Sequence, residues 1–168
     1  MEISVAQKSE YLTIKTFCAQ IVQEFYGYEH GDEWLYDLEN DYIYSSKNRG
    51  CMLVMKEFGE IIGCIGLRPL ESLPEIEERF SEFFHSPREV AVLTKAYIVK
   101  TKRNMGLGKI LVKEIEFVAS RIGYSVVYLH CSSQPDIASF WIKMGYEVFK
   151  KEADRFQTVH LKKNIYIH

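Results

Sequence analysis

The chain has 168 residues and a mass of 19.7 kDa, the size of one ordinary domain with room for a sizeable core and too little for two independent ones. Hydrophobic residues make up 47% and charged residues 26%, with 10 glycines and 4 prolines, which excludes disordered, collagen-like and low-complexity classes. The net charge of −2 conceals a division: residues 1–92 carry 17 acids against 8 bases, and residues 93–168 carry 6 acids against 13 bases, so the first half suits a cationic partner and the second an anionic one.

Ile3 to Ala6 reads as a short strand. Ile14, Phe17, Ile21 and Phe25 then recur at helical spacing and predict an amphipathic helix ending near Gly27. Trp34, Leu35 and Leu38 give the acidic, aromatic stretch 28–44 one apolar face and predict a second short helix. Cys51 to Phe58 and Ile61 to Leu67 flank Gly59-Glu60 and read as a hairpin. Pro69 and Pro74 interrupt regular structure, and the spacing from Glu75 to Phe84 suits a short surface helix.

Val90 to Lys100 is the next strand, followed by the loop Thr101 to Gly106. Leu107, Leu111, Ile115, Val118 and Ile122 then mark one face of a helix that Gly123 is placed to end. Ser125 to Cys131 is a buried strand, Pro135 opens a helix through Met144, and Tyr146–Lys150 with Thr158–Lys162 predict a closing strand pair. Neither repeats nor linkers interrupt residues 1–168, so a single domain is expected.

The N-terminus lacks the basic start and apolar block of a secretory signal, and no apolar run reaches the ~20 residues of a membrane span, so a cytoplasmic location without membrane attachment is expected. Cys18, Cys51, Cys64 and Cys131 are scattered without a CxxC pair or a neighbouring histidine pair, which reads as four reduced thiols and no metal site. The basic half has no long Lys/Arg run and no aromatic-basic platform, so nucleic acid is not an expected partner.

The chemistry concentrates at Arg103-Asn104-Met105-Gly106-Leu107-Gly108-Lys109, between a strand and a strongly periodic helix. Glycines at 106 and 108 let phosphate oxygens approach the backbone, where free N–H groups and the positive end of the helix dipole favour anions. A Walker loop would need glycine at Arg103 and Ser or Thr at Ile110; a dinucleotide fingerprint would need a small residue at Leu111 and an acid about 20 residues on, where the apolar Val126-Val127 strand stands. Neither fits.

The segment resembles the acyl-coenzyme A signature R/Q-x-x-G-x-G/A of the GNAT superfamily of N-acetyltransferases. Leu93-Thr94-Lys95-Ala96-Tyr97-Ile98 is similar to that family's central strand, and Phe140-Trp141-Ile142-Lys143-Met144-Gly145-Tyr146 to its recurrent F/L-Y-x-K-x-G-F/Y segment. Together these blocks cover residues 92–148. The resemblance implies an α/β (α+β) fold: a mixed, mostly antiparallel central sheet with splayed central strands, flanked by helices. It implies acetyl-CoA as co-substrate and a primary amine, on a small molecule or a peptide, as acceptor in a direct transfer within a ternary complex. Ile98 and Val99 would contact pantetheine, and Arg103, Asn104, Met105, Gly106, Leu107, Gly108 and Lys109 the pyrophosphate. Gln134, at a frequent Asn of the family, and Trp141 are carried over as coenzyme contacts.

The resemblance departs from the family pattern where catalysis is concerned. The family's frequent strand Glu is Val92 here, and its frequent general-acid Tyr is Trp141, whose indole cannot act as an acid. That leaves His130, Glu89 and Tyr146 as candidates, with His130 and Tyr146 also readable as structural residues. Cys131 next to His130 is a poor nucleophile–base pair, because neighbouring strand residues point to opposite faces. Two readings follow: an acetyl-CoA-dependent N-acyltransferase, or an acyl-CoA-binding regulatory domain that has lost its chemistry. Asp32, Glu33 and Asp37 are expected to steer a cationic acceptor, and Phe80, Phe83 and Phe84 to form a lid or a homodimer contact.

Overall fold

Two apolar runs meeting at Phe58-Gly59 build the first part of a sheet, because both turn residues adopt the left-handed backbone, with φ of 52° and 85°, that a tight hairpin requires. In the computed structural model, which describes residues 1–27, 35–40 and 42–165, β1 (Glu2–Val5) pairs antiparallel with β2 (Cys51–Glu57), and β2 with β3 (Glu60–Pro69). β4 (Val90–Ile98), β5 (Val126–Ser132), β6 (Glu147–Lys151) and β7 (Thr158–Asn164) complete seven strands in the order β1-β2-β3-β4-β5-β7-β6. β5 and β7, and β6 and β7, are antiparallel; β4 and β5 are parallel, so the sheet is mixed and mostly antiparallel as expected. The parallel ladder has three rungs, from Val90–Val126 to Val92–Tyr128, although β4 has nine residues and β5 seven. Parallel neighbours need a crossover, and α3 (Leu107–Ile122) supplies it.

The chain resolves into two compact units, residues 1–68 with 94–115 and residues 69–93 with 116–168. In the first, α1 (Tyr11–Tyr26) buries Ile14, Phe17, Cys18 and Ile21 against Met52, Val54 and Cys64. Gly27, at φ 67°, closes the helix with its N–H on the Gln23 carbonyl. Phe25 departs from the predicted face: it is 41% exposed and carries the Arg103 guanidinium 4.6 Å above its ring. The helix expected around Leu35 and Leu38 is a single 3₁₀ turn, Tyr36–Leu38, because Asp37 is drawn inward to buried cations; Trp34 lies outside the described residues.

In the second unit, α2 (Pro74–Arg79) starts on a proline, which lacks the N–H that a first turn leaves unpaired. Leu70, Phe80, Phe84, Val90, Val92 and Tyr128 form one apolar cluster, with Phe83 half-buried beside it. Phe80 and Phe84 are therefore interior groups. α4 (Pro135–Lys143) buries Trp141 edge-on against Tyr146, with ring centroids 5.2 Å apart. Among the described residues, no helix is long and apolar enough to cross a membrane.

Candidate functional site

The first unit holds the glycine loop. After a 3₁₀ turn at Lys100–Lys102, Asn104 and Gly106 take left-handed backbone, with φ of 61° and 80°, before α3 begins at Leu107. Left-handed residues interspersed in a turn curl the backbone so that successive N–H groups line a concavity for an anion. The first N–H groups of α3 have no intrahelical acceptor and add their donors and the dipole to the same place. A Cβ built on Gly106 would meet nothing within 4 Å, so the space beside that residue is open, and Lys109 lies exposed in the first turn. These residues fit a pyrophosphate.

Arg103 is held by groups of the protein itself. Its Nε donates to the Ile98 carbonyl at 2.9 Å, its Nη1 pairs with Glu24 at 2.6 Å, and its plane covers Phe25. The fork thus ties the end of β4 to the last turn of α1, and only the buried Nη2 has no partner. Val99 is also committed: its N–H donates to the Ile62 carbonyl and its carbonyl accepts from Lys102. Backbone groups of a strand alternate between its edges. With Val99 facing β3, that alternation would turn the N–H of Ile98 to the opposite edge.

β4 is irregular at its centre. Val90 to Leu93 are buried, but Lys95 takes φ 54° and Ala96, next to it, is exposed. Around Lys95 lies a cluster that reading along the chain does not assemble. Asp37, 3% exposed, accepts through Oδ2 from Tyr44 Oη at 2.5 Å and Lys95 Nζ at 3.0 Å, with Arg68 Nη1 at 3.8 Å. With the phenol proton committed to Asp37, Thr94 donates to Tyr44 Oη at 2.8 Å. Burial and the adjacent carboxylate push the Tyr44 phenol well above its usual range. The steering role expected of Asp37 is overturned by this burial; Asp32 and Glu33 fall outside the described residues. No local pattern announces the cluster, since Lys95 and Asp37 are 58 residues apart.

The three catalytic candidates lie in the second unit. His130 is exposed on β5, with Nδ1 3.4 Å from Tyr128 Oη. Tyr128 Oη is also 2.8 Å from Nδ1 of buried His160, whose Nε2 meets Glu152 at 2.8 Å, and Glu152 is paired with Arg79 at 2.6 Å. Burial lowers the His160 pKa despite Glu152, so a neutral ring donating to Glu152 and accepting from Tyr128 satisfies every distance. Glu89 accepts from Ser125 Oγ at 2.9 Å, and its carbonyl accepts the Ser125 N–H, joining the starts of β4 and β5. Tyr146 is an interior residue: its hydroxyl donates to Glu116 at 2.9 Å, Lys163 binds the same carboxylate, and burial raises the phenol far above neutrality.

Gln134 is the residue before α4, exposed, with its carbonyl accepting the N–H groups of Ile137 and Ala138. Val92 and Trp141 are both interior. The four cysteines are free, and burial pushes the Cys131 thiol up to about 11, which keeps it protonated and unsuited to nucleophilic attack. Among the described residues, no group of three or more His, Cys, Asp or Glu is arranged to hold a metal ion.

A sequence model described as the acetyltransferase (GNAT) family matches residues 16–146. A search of curated protein sequences finds no match. Solved structures share the fold. An acetyltransferase of the GNAT family from Staphylococcus aureus Mu50 superposes with a TM-score of 0.77 at 17% identity, covering 98% of this chain and 99% of that one. A protein from Salmonella typhimurium, solved with its cofactor acetyl-CoA, gives 0.72 at 18% identity, over 100% and 95%. The PaiA N-acetyltransferase of Thermoplasma acidophilum, in complex with coenzyme A, gives 0.72 at 18% identity, over 98% and 99%.

Proposed function

The chain belongs to the GNAT acetyltransferase family, and from that premise we propose that it transfers an acetyl group from acetyl-CoA to a primary amine, on a small molecule or a peptide, by direct attack in a ternary complex. The observation that carries the reading is the loop in which Asn104 and Gly106, both left-handed, precede the first turn of α3, whose N–H groups have no acceptor within the helix. Those donors would hold the pyrophosphate, and the outward N–H of Ile98 would hold the pantetheine amide in the manner of an added strand.

The transfer breaks the thioester C–S bond and forms an amide C–N bond; the amine loses a proton and the coenzyme leaves as a thiolate. Ordinary thiols titrate near ~8.5, so that thiolate leaves without an obligatory acid, consistent with Trp141 at the family's Tyr position. An alkyl ammonium titrates near ~10 and needs a base. Of the three candidates, Tyr146 is enclosed and hydrogen-bonded to Glu116, and Glu89 is engaged with Ser125. His130, exposed on β5 with its Nδ1 3.4 Å from Tyr128 Oη, is the base we assign, because its imidazole is the one candidate whose ordinary pKa lies near neutrality. The acidic excess of residues 1–92 favours a cationic acceptor.

A second reading, coenzyme binding without transfer, is favoured by one observation: Val92 and Trp141 turn the family's two frequent proton-transfer positions into interior apolar ones. Mass-spectrometric detection of acetylated product across small amines and basic peptides, using acetyl-CoA, decides between them. Product whose rate falls with His130→Ala supports the first reading. Saturable coenzyme binding with product formed from none of these amines supports the second.

A further inference from the structure

Lys95 sits mid-strand with φ 54°, a conformation that an L-residue bearing a long side chain adopts only when its surroundings impose it. What imposes it is visible on every side. Its ammonium is tied to Asp37 Oδ2 at 3.0 Å, and its carbonyl accepts the Cys64 thiol at 3.2 Å. Its neighbour Thr94 is bonded to Tyr44, which is bonded to the same Asp37 oxygen. Asp37 reaches all these partners through Oδ2 alone; Oδ1 is buried without a partner. Gly66 makes the approach possible, since a Cβ there would lie 2.7 Å from the Tyr44 ring and 2.8 Å from Thr94 Oγ1.

We infer that Asp37 and Tyr44 clamp Lys95 in its left-handed conformation and thereby set the course of β4 from Ala96 to Ile98, which makes Asp37 a positioning residue for the pantetheine-binding edge. A left-handed residue breaks the pleat of a strand, so the direction of each N–H that follows depends on whether the break is held. Beyond Lys95, the Arg103 bond to the Ile98 carbonyl and the Val99 bond to Ile62 fix the far end. The buried ion pair fixes the near end. The functional part of this inference rests on the coenzyme reading of the preceding section; the clamp itself does not.

The test separates the two. Lys95→Ala and Lys95→Gly both delete the ammonium and differ by a Cβ, which alone disfavours positive φ. A fold-wide effect of losing the charge would act equally on both. The clamp predicts that Lys95→Ala weakens coenzyme A binding roughly tenfold, the scale of a left-handed penalty, and that Lys95→Gly loses clearly less. ADP carries the pyrophosphate and lacks pantetheine, so its calorimetric affinity should be the same in both variants. Asp37→Asn, which keeps the shape and an acceptor oxygen, should behave like Lys95→Ala, and adding Lys95→Gly to it should restore coenzyme affinity. Equal losses in the alanine and glycine variants, or parallel losses of ADP and coenzyme A, would overturn the positioning role. A crystal structure of Asp37→Asn with residue 95 still left-handed would overturn the clamp. Failure of the parent protein to bind either ligand would overturn the coenzyme reading and the positioning role together, and the clamp would still be decided by the backbone of residue 95.

Discussion

Gly66→Ala tests whether the interior around Tyr44 is as tightly closed as described. The added methyl would stand 2.7 Å from Tyr44 Cε1, 2.8 Å from Thr94 Oγ1 and 3.0 Å from Met52 Cε, all inside ordinary contact distance. Tyr44 and Met52 are buried, and the Tyr44 hydroxyl is held by Asp37 and Thr94, so the ring cannot swing away without breaking a buried hydrogen bond. Overpacking of a filled interior costs about 1–3 kcal/mol. For a chain of this length that lowers the Tm by about 2–12 °C. Differential scanning calorimetry reads the shift, and urea unfolding gives the free energy independently. Gly59→Ala is the internal control: a methyl there meets nothing within 4 Å, so only the positive φ of 85° opposes it. Unfolding of Gly66→Ala within about 0.5 kcal/mol of the parent would refute the packing described here.

Tyr146→Phe removes one donor from Glu116 but leaves Lys163 on the same carboxylate, so stability should fall by about 0.5–1.5 kcal/mol and acetyl transfer should persist; abolished transfer with intact coenzyme binding would show Tyr146 to be the acid after all. Burial lowers the folded-state pKa of His160, so its protonation opposes folding: its contribution is complete above its unfolded pKa near ~6.5 and is lost as pH falls from there through the lowered folded value. Urea midpoints measured across that window should decline less steeply in His160→Gln than in the parent, and identical pH slopes would contradict the assignment of a buried neutral ring.

What could be read along the chain is what local sequence determines. α3 falls at the predicted Leu107–Ile122 because its apolar face repeats over more than four turns and Gly123, at φ 101°, ends it. The turn from Arg103 to Lys109 was legible as the entry to α3 because its residues are contiguous, and Asn104 and Gly106 do take left-handed backbone before the helix. Arg103 shows the limit of that reading. Its position in the motif was plain, but its guanidinium is turned by Glu24, 79 residues away, to serve β4 and α1. Asp37 shows the same limit more strongly. In sequence it is one acid among many in a solvated-looking stretch, whereas in the fold it anchors two buried cations brought by β3 and β4. The failed helix at Leu35–Leu38 has the same origin, since tertiary partners for Asp37 override a weak local period.

The central claim is that the Asn104–Lys109 loop binds the pyrophosphate of acetyl-CoA. Calorimetric titration with acetyl-CoA, on the parent and on a Gly106→Glu, Gly108→Glu variant shown by circular dichroism to be folded, tests it most directly. The account predicts saturable binding to the parent and its loss in the variant, where carboxylates oppose the phosphate. Binding that survives in the folded variant, or no binding by the parent, would contradict it.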